Sequence, residues 1–351
     1  MKIALLGLQG AGKKTLFRLM TGVEAAAIPP KGVPGILSVR DPRVEVLSAM
    51  YNPEKTAYAR VEVLLLPDME KSQGRATWLD DVRNLDGICC VVRAFRDPSV
   101  FHPLGSVDAR RDLDTFLVEL ILADLYLMEQ RKEKLASELR SKRSPEKERE
   151  LKAVEHMAME LEAGKPVRAA ALPDAEKKVL ANCQFLTDKA IAGVVNVTHG
   201  AEPPDFRSAM TGEFGSRMSL SFFDAKLESE IAAVADPDER KEFLAGLGIA
   251  EPAVAQITRG IYDALGLMSY YTVGTDEVRA WTIRKGSTAP QAARAIHSDL
   301  ERGFIRVEVI QYQDLIALGS EAKVQEAGRV QLKSKDYVVQ DGDILSFRAA
   351  S

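Results

Sequence analysis

The stretch Ile3-Ala4-Leu5-Leu6-Gly7-Leu8-Gln9-Gly10-Ala11-Gly12-Lys13-Lys14-Thr15-Leu16-Phe17-Arg18-Leu19-Met20 runs from an apolar strand through a glycine loop into a helical pattern. From Gly7 to Lys13 it meets the phosphate-binding pattern G-x-x-x-x-G-K-[ST]. Glycines let consecutive main-chain N–H groups converge on an anion, and the helix that follows adds its positive dipole end. Lys13 then reaches the outer phosphates as a point charge. Gln9, Gly10, Ala11, Gly12, Lys13, Lys14 and Thr15 are therefore the candidate phosphate-binding residues. Two lysines at a helix start oppose the dipole by ~0.3–1 kcal/mol each, a conflict that a bound anion removes.

One position departs from the pattern. Lys14 stands where a hydroxyl should hold magnesium. Thr15 does not replace that hydroxyl, because one step along a helix rotates a side chain by about 100°. Binding a phosphate and cleaving one are thereby separated.

Outward from this loop, 351 residues suffice for two or three domains with sizeable cores. A formal charge of −4 points to no polyanion partner in bulk, so any nucleic-acid surface must be local. Cys89, Cys90 and Cys183 form neither a metal-ligand spacing nor a disulfide framework, and the adjacent pair reads as small core residues. With no leader pattern and no apolar run of ~18 residues, a cytoplasmic protein without a membrane contact is expected.

Up to about residue 108, short apolar runs alternate with helical patterns, predicting a mostly parallel sheet wrapped by helices. Strands are expected at Lys2–Leu6, Gly35–Val39, Arg60–Leu66 and Gly87–Val92, and further ones at Ile191–Val195 and Met218–Leu220. Between them, Leu113, Phe116, Leu117, Leu120, Ile121, Leu125 and Met128 recur at helical spacing. Ser144-Pro145 ends that pattern and a second helix carries Leu151, Val154, Ala158 and Leu161, predicting an inserted helical hairpin. Arginines and lysines cluster at its tip, diluted by glutamates. That favours a solvated helix end, with a phosphate-backbone contact as the alternative. The last 80 or so residues read as a small β-rich module: strands at 279–283 and 305–309, a helix at 290–300, and a hairpin of 336–339 with 344–347.

Several of these residues resemble the Obg-like ATPase (YchF) family. The likeness is densest in Glu277-Val278-Arg279-Ala280-Trp281-Thr282-Ile283, Ala289-Pro290-Gln291-Ala292-Ala293, Glu301-Arg302-Gly303-Phe304-Ile305-Arg306 and Lys335-Asp336-Tyr337-Val338-Val339-Gln340-Asp341-Gly342-Asp343. It continues through Asp41-Pro42-Arg43, Val91-Val92-Arg93-Ala94-Phe95 and Ala225-Lys226-Leu227-Glu228. The resemblance implies an α/β P-loop GTPase-like domain (residues 1–110 and 185–268), an inserted α-helical arm (111–184) and a C-terminal TGS domain of the ubiquitin-like β-grasp type (269–351). It implies ATP or GTP (ADP or GDP) as ligand, and ribosome or RNA association through the TGS domain and the arm. It adds Asn196, Val197, Ala225 and Lys226 to the nucleotide-binding residues.

Position by position, the family's hydrolytic groups do not transfer. Lys14 replaces the P-loop serine, and the segment that carries a magnesium threonine reads Ala27-Ile28-Pro29-Pro30-Lys31. The D-x-x-G segment reads Leu64-Leu65-Leu66-Pro67; Asp68 follows four positions late and is not enlisted. The loop from Asp68 to Thr77 lacks the family's glycine run and the histidine expected there. Asn196-Val197-Thr198-His199 stands for the base-reading Asn-x-x-Glu, with His199 read as a solvated turn residue. The expectation is a nucleotide-binding protein deficient in hydrolysis, with no assigned catalytic residue and with magnesium disfavoured. The Lys14 ammonium would stand near the ion's place, where one charge pair at about 4 Å and effective dielectric ~20 is worth roughly 4 kcal/mol before desolvation. An empty interaction scaffold, and an active ATPase with unusual metal ligands, remain open.

Overall fold

The structure is a computed structural model that describes residues 1–69, 78–206, 214 and 218–350. By contacts the chain gathers into two compact units: Met1–Ile36 with Glu62–Ala264, and Leu37–Val61 with Leu265–Ser351.

The first unit is built on strands β1 (Lys2–Gly7), β2 (Val33–Val39), β4 (Ala59–Leu65), β5 (Gly87–Arg93), β6 (Ala190–Asn196) and β7 (Met218–Phe223), in the order β2-β4-β1-β5-β6-β7. Neighbours from β4 to β7 run parallel. Every residue of β5 and β6 is buried, the pattern of central strands covered on both faces. Burial pushes the Cys89 thiol up to about 12 and the Cys90 thiol higher still, so the pair are inert core groups. Helix α1 (Lys13–Thr21) follows β1 and buries Leu16, Phe17 and Met20 before ending at the left-handed Gly22. Helix α3 (Trp78–Val82) precedes β5.

The expected helical hairpin is present as α4 (Ala109–Ser141) and α5 (Pro145–Glu162), followed by α6 (Asp174–Leu180). Ser144 caps α5 and Pro145 occupies its first turn, which accounts for the break between them. Asp124, an interruption of the apolar pattern, is fully buried. It accepts bonds from Arg83, from the Leu186 and Thr187 amides and from the Thr187 hydroxyl, tying α4 to the chain that returns to the sheet. Near the tip, Arg131 pairs with Glu150, Lys132 with Glu155 and Lys147 with Glu138. Three of the basic side chains around the tip are thus met by carboxylates of the opposite helix. Helices α7 (Ala225–Ala233), α8 (Pro237–Gly246) and α9 (Ala253–Ala264) complete this unit.

The second unit begins with α2 (Pro42–Tyr51) and β3 (Lys55–Ala57). Its remaining strands are β8 (Leu267–Thr272), β9 (Glu277–Arg284), β10 (Phe304–Gln311), β11 (Gln331–Lys333) and β12 (Asp343–Ala349). The sheet order is β11-β10-β12-β8-β9-β3, with β12 parallel to β8 and antiparallel to β10. The antiparallel pair β8–β9 and the parallel pair β12–β8 make up the middle of this sheet. Helix α10 (Ala289–Ile296) covers the core of Met268, Tyr270, Ile283, Val307, Val309 and Leu345. Short helices α11 (Ser298–Arg302), α12 (Tyr312–Leu318) and α13 (Glu321–Glu326) link the later strands.

Two expectations are corrected here. The helix predicted over 290–300 breaks at His297, whose extended backbone and ring nitrogen cap α11. The hairpin of 336–339 with 344–347 does not form. Both edges of β12 are already taken by β8 and β10, and residues 336–339 make a single bridge, Val338 to Thr288. Asp343 accepts from the Gln340 amide and the Tyr337 hydroxyl, folding the connection back on itself. Trp281 is half-buried: its ring stacks 6.5 Å from Tyr270 on one side, and the Arg279 guanidinium lies 4.2 Å from its centroid.

Candidate nucleotide site

The glycine loop does locally what its residues dictate. Gly10 and Gly12 both have left-handed backbone, with φ of 74° and 97°. A Cβ on Gly12 would lie 2.4 Å from Asn196 Nδ2, and one on Gly10 would lie 2.9 Å from Val100. The loop is therefore packed to glycine tolerance on two sides. Gly12 caps α1 without a side-chain bond, and no acidic residue occupies the first turn, so the positive end of the helix is left for an external anion.

A cleft of about 690 Å³ opens at this helix start, lined by Gly12, Thr15, Asn196, Val197, Ala225 and Lys226 among others. These are six of the sequence-predicted site residues, gathered from three segments. Asn196, buried at the end of β6, is the reason they meet. Its Nδ2 donates to Ala11 O at 3.1 Å and its Oδ1 accepts from the Ala225 amide at 3.1 Å. One side chain thus ties the glycine loop to the start of α7, and its amide is spent on that task. Asp224 caps α7 through the Lys226 and Leu227 amides and also accepts from the His199 amide. His199 enters the site through its main chain.

Another part of the wall is Phe95, Arg96 and Asp97. It is shaped by Arg93, a buried guanidinium at the end of β5 that donates to the carbonyls of Phe95, Asp97, Val100 and Phe101. Gln9 and Ala11 line a second, water-sized space of about 10 Å³ on the other side of the loop, together with Met69, Arg93, His102 and Asp112. There His102 Nδ1 accepts from the Leu104 amide, which places the proton on Nε2, 3.0 Å from Asp112 Oδ2.

The two lysines part company. Lys13, 3 % exposed, donates to Asp68 Oδ1 at 2.8 Å and to Gly7 O at 3.3 Å. Burial lowers its pKa, and the Asp68 carboxylate works against that fall. Lys14 is exposed and donates to Ala26 O at 2.9 Å, bridging the loop to the segment that precedes Ala27-Ile28-Pro29-Pro30-Lys31. Asp68, His102 and Arg93 are the neighbours of the loop that sequence reasoning passed over. Asp68 follows β4 at a position no motif marks, and His102 and Arg93 are brought to the loop by tertiary packing. Residues 70–77, where the missing glycine run and histidine were noted, lie outside the described residues.

Among the described residues, the donors at the loop are not the usual magnesium set of a P-loop. The position of the hydroxyl ligand carries an ammonium, and the nearby carboxylate is engaged by Lys13. No helix among the described residues is long and apolar enough to cross a membrane.

Residues 267–350 match the family model of the YchF GTPase C-terminal domain, described as "Protein of unknown function (DUF933)". The "Ribosome-binding ATPase YchF" of Bacillus subtilis (strain 168) is 38 % identical over 359 residues, covering 98 % of this chain and 98 % of the relative. The protein of the same description from Haemophilus influenzae is 35 % identical, over 99 % of this chain and 98 % of its own length. Among solved structures, the Schizosaccharomyces pombe YchF GTPase superposes with a TM-score of 0.80 at 28 % identity, covering 99 % of this chain and 97 % of that one. A GTP binding protein from Pyrococcus horikoshii OT3 shares the fold, with a TM-score of 0.63 at 20 % identity.

Proposed function

This chain belongs to the YchF family, and from that premise we propose that it binds a purine nucleotide, ATP or GTP, on the Gly10–Lys13 loop. The observation that carries this reading is the cleft at the uncapped start of α1, where Asn196 holds the loop and α7 together. Phosphates would meet the amides of Gly12 to Thr15 and the Lys13 ammonium. The base would lie toward Val197, Ala225 and Lys226, with Asn196 positioning the loop rather than reading the base.

Hydrolysis on this reading is weak. An ammonium at position 14 repels a cation and cannot polarise a leaving oxygen as a metal does. The names of the ribosome-binding relatives support a ribosome-associated role in the cytoplasm. We assign partner contact to the C-terminal unit, which by resemblance is a TGS domain, and to the helical arm of residues 111–184. Isothermal titration with ATP, ADP and GTP, with and without EDTA, tests the binding. Affinity independent of divalent cation supports it, and no heat with any nucleotide refutes it. Co-sedimentation with ribosomes at moderate salt tests the association, and recovery only in the free fraction refutes that part.

A second reading, residual ATPase activity, is favoured by one observation. The hydrogen-bonded His102–Asp112 pair shares a water-sized space with Gln9 and Ala11 beside the phosphate loop. Phosphate release that survives repurification and vanishes in Lys13→Ala would establish it.

A further inference from the structure

Lys13 is the one cation of the glycine loop that points back into the unit, and it already has an anion. Leu66 donates its amide to Leu5 O at 3.1 Å and Met69 donates to Gly7 O at 3.3 Å, so the chain beyond β4 keeps following β1 to the mouth of the loop. Pro67, with its fixed φ, sits between these anchors and lacks an amide proton of its own. The result is that Asp68 Oδ1 stands 2.8 Å from Lys13 Nζ, the contact a phosphate oxygen would make. Lys14, engaged with Ala26 O, offers no substitute cation on this side.

We propose that Asp68 is a built-in competitor for the nucleotide's phosphates: it neutralises Lys13 in the empty site and must release Lys13 before a triphosphate binds. The inference rests on the nucleotide-binding reading above. Two facts support it. The Lys13 side chain is 3 % exposed, so a second anion brought to it would feel Asp68 with little screening from water or salt. The Asp68 side chain is 36 % exposed, so it can swing to solvent without unpacking the core. The device also answers why a buried lysine is tolerated at the loop: an unpaired buried ammonium is costly, and Asp68 pairs it.

Titration calorimetry of the full chain in excess EDTA tests this, comparing the natural protein with Asp68→Asn and with Lys13→Ala. Asp68→Asn should tighten ATP binding by about tenfold or more, as expected when a like charge leaves a poorly screened site. Adenosine, which has no phosphate, should bind both proteins equally. Lys13→Ala should lose ATP binding in either background. Asp68→Ser gives the same readout if the amide variant does not fold. Unchanged or weaker ATP binding by folded Asp68→Asn, with the natural protein still binding, overturns the competitor and leaves the nucleotide reading standing. No ATP binding by the natural protein or either Asp68 variant overturns both.

Discussion

Arg43 Nη1 and Asp341 Oδ2, 298 positions apart, meet at 2.7 Å. The same guanidinium grips both carboxylate oxygens of Asp41. Asp41 in turn accepts from the Tyr271 hydroxyl, and Asp341 accepts from the Ser269 amide. The segment Leu37–Val61 is thereby locked into the unit formed by the last 87 residues, Leu265–Ser351. Both ends of that segment run on into β2 and β4 of the P-loop unit's sheet.

Replacing Arg43 by alanine removes the hub and leaves the largely buried Asp41 carboxylate and the exposed Asp341 carboxylate without their cation. We expect a loss of about 1–3 kcal/mol in the second unit. Chemical denaturation followed by Trp281 fluorescence in a Trp78→Phe background measures it, and faster amide exchange across residues 42–51 should accompany it. An unchanged midpoint would show that the pairing is passive.

Acid should act on the same hub. Burial pushes Asp41 up, but bonds from Arg43 and Tyr271 outweigh it and hold the carboxyl below its ordinary value. A depressed carboxyl contributes stability that is present above its unfolded value of about 3.9 and is lost as pH falls through the folded value. Asp343, raised by burial, has the opposite sign: its contribution is present below the unfolded value and is lost as pH rises through the raised one. The difference curve between the natural protein and Asp41→Asn is therefore the readout. It should be largest near neutrality and shrink below pH ~4.

Asn196→Ala cuts the bonds to Ala11 and Ala225 at once. With a buried carbonyl and a part-buried, cleft-lining amide left unpaired, a cost of about 1–3 kcal/mol is expected, most of it from the carbonyl. Nucleotide affinity should fall with it, because the loop loses its tether. Thermal unfolding alongside titration separates the two effects.

Gly12→Ala meets two obstacles, the φ of 97° and the 2.4 Å approach to Asn196 Nδ2. Strain of about 1–3 kcal/mol is expected. Nucleotide binding should be lost while the second unit keeps its near-ultraviolet circular dichroism. Retained binding would mean that the loop can reshape.

Lys14→Ser restores the hydroxyl that phosphate-binding loops present to magnesium. Affinity for ATP should then become dependent on divalent cation, rising at least about tenfold when magnesium is added. Indifference to magnesium in this variant would place the block elsewhere, at Leu64 or Pro67.

Much of the fold was legible because it is local. The run Ile3–Met20 marks a strand, a loop and a helix by period and glycine alone, and the hairpin of α4 and α5 shows in the spacing from Leu113 to Leu161. The candidate site was half legible: Asn196 and Ala225 came from resemblance, and their joint grip on Ala11 needed the sheet to bring β6 beside β1's loop. The 336–347 hairpin was misread because alternation reports a strand's faces but not which edges are free.

By itself, the sequence determined that a glycine loop precedes a helix with no acidic group at its start, that the usual metal hydroxyl is a lysine, and that a helical hairpin interrupts the sheet. Each follows from bond rotation, side-chain period or the chemistry of one position. Only the tertiary structure decided that Asp68 would meet Lys13, that His102 would lie behind the loop, and that Arg43 would clasp Asp341. Those pairings join residues 55 and 298 positions apart in two of the three cases. They arise when parallel strands and packed layers bring distant segments to one edge, and no local pattern encodes that geometry.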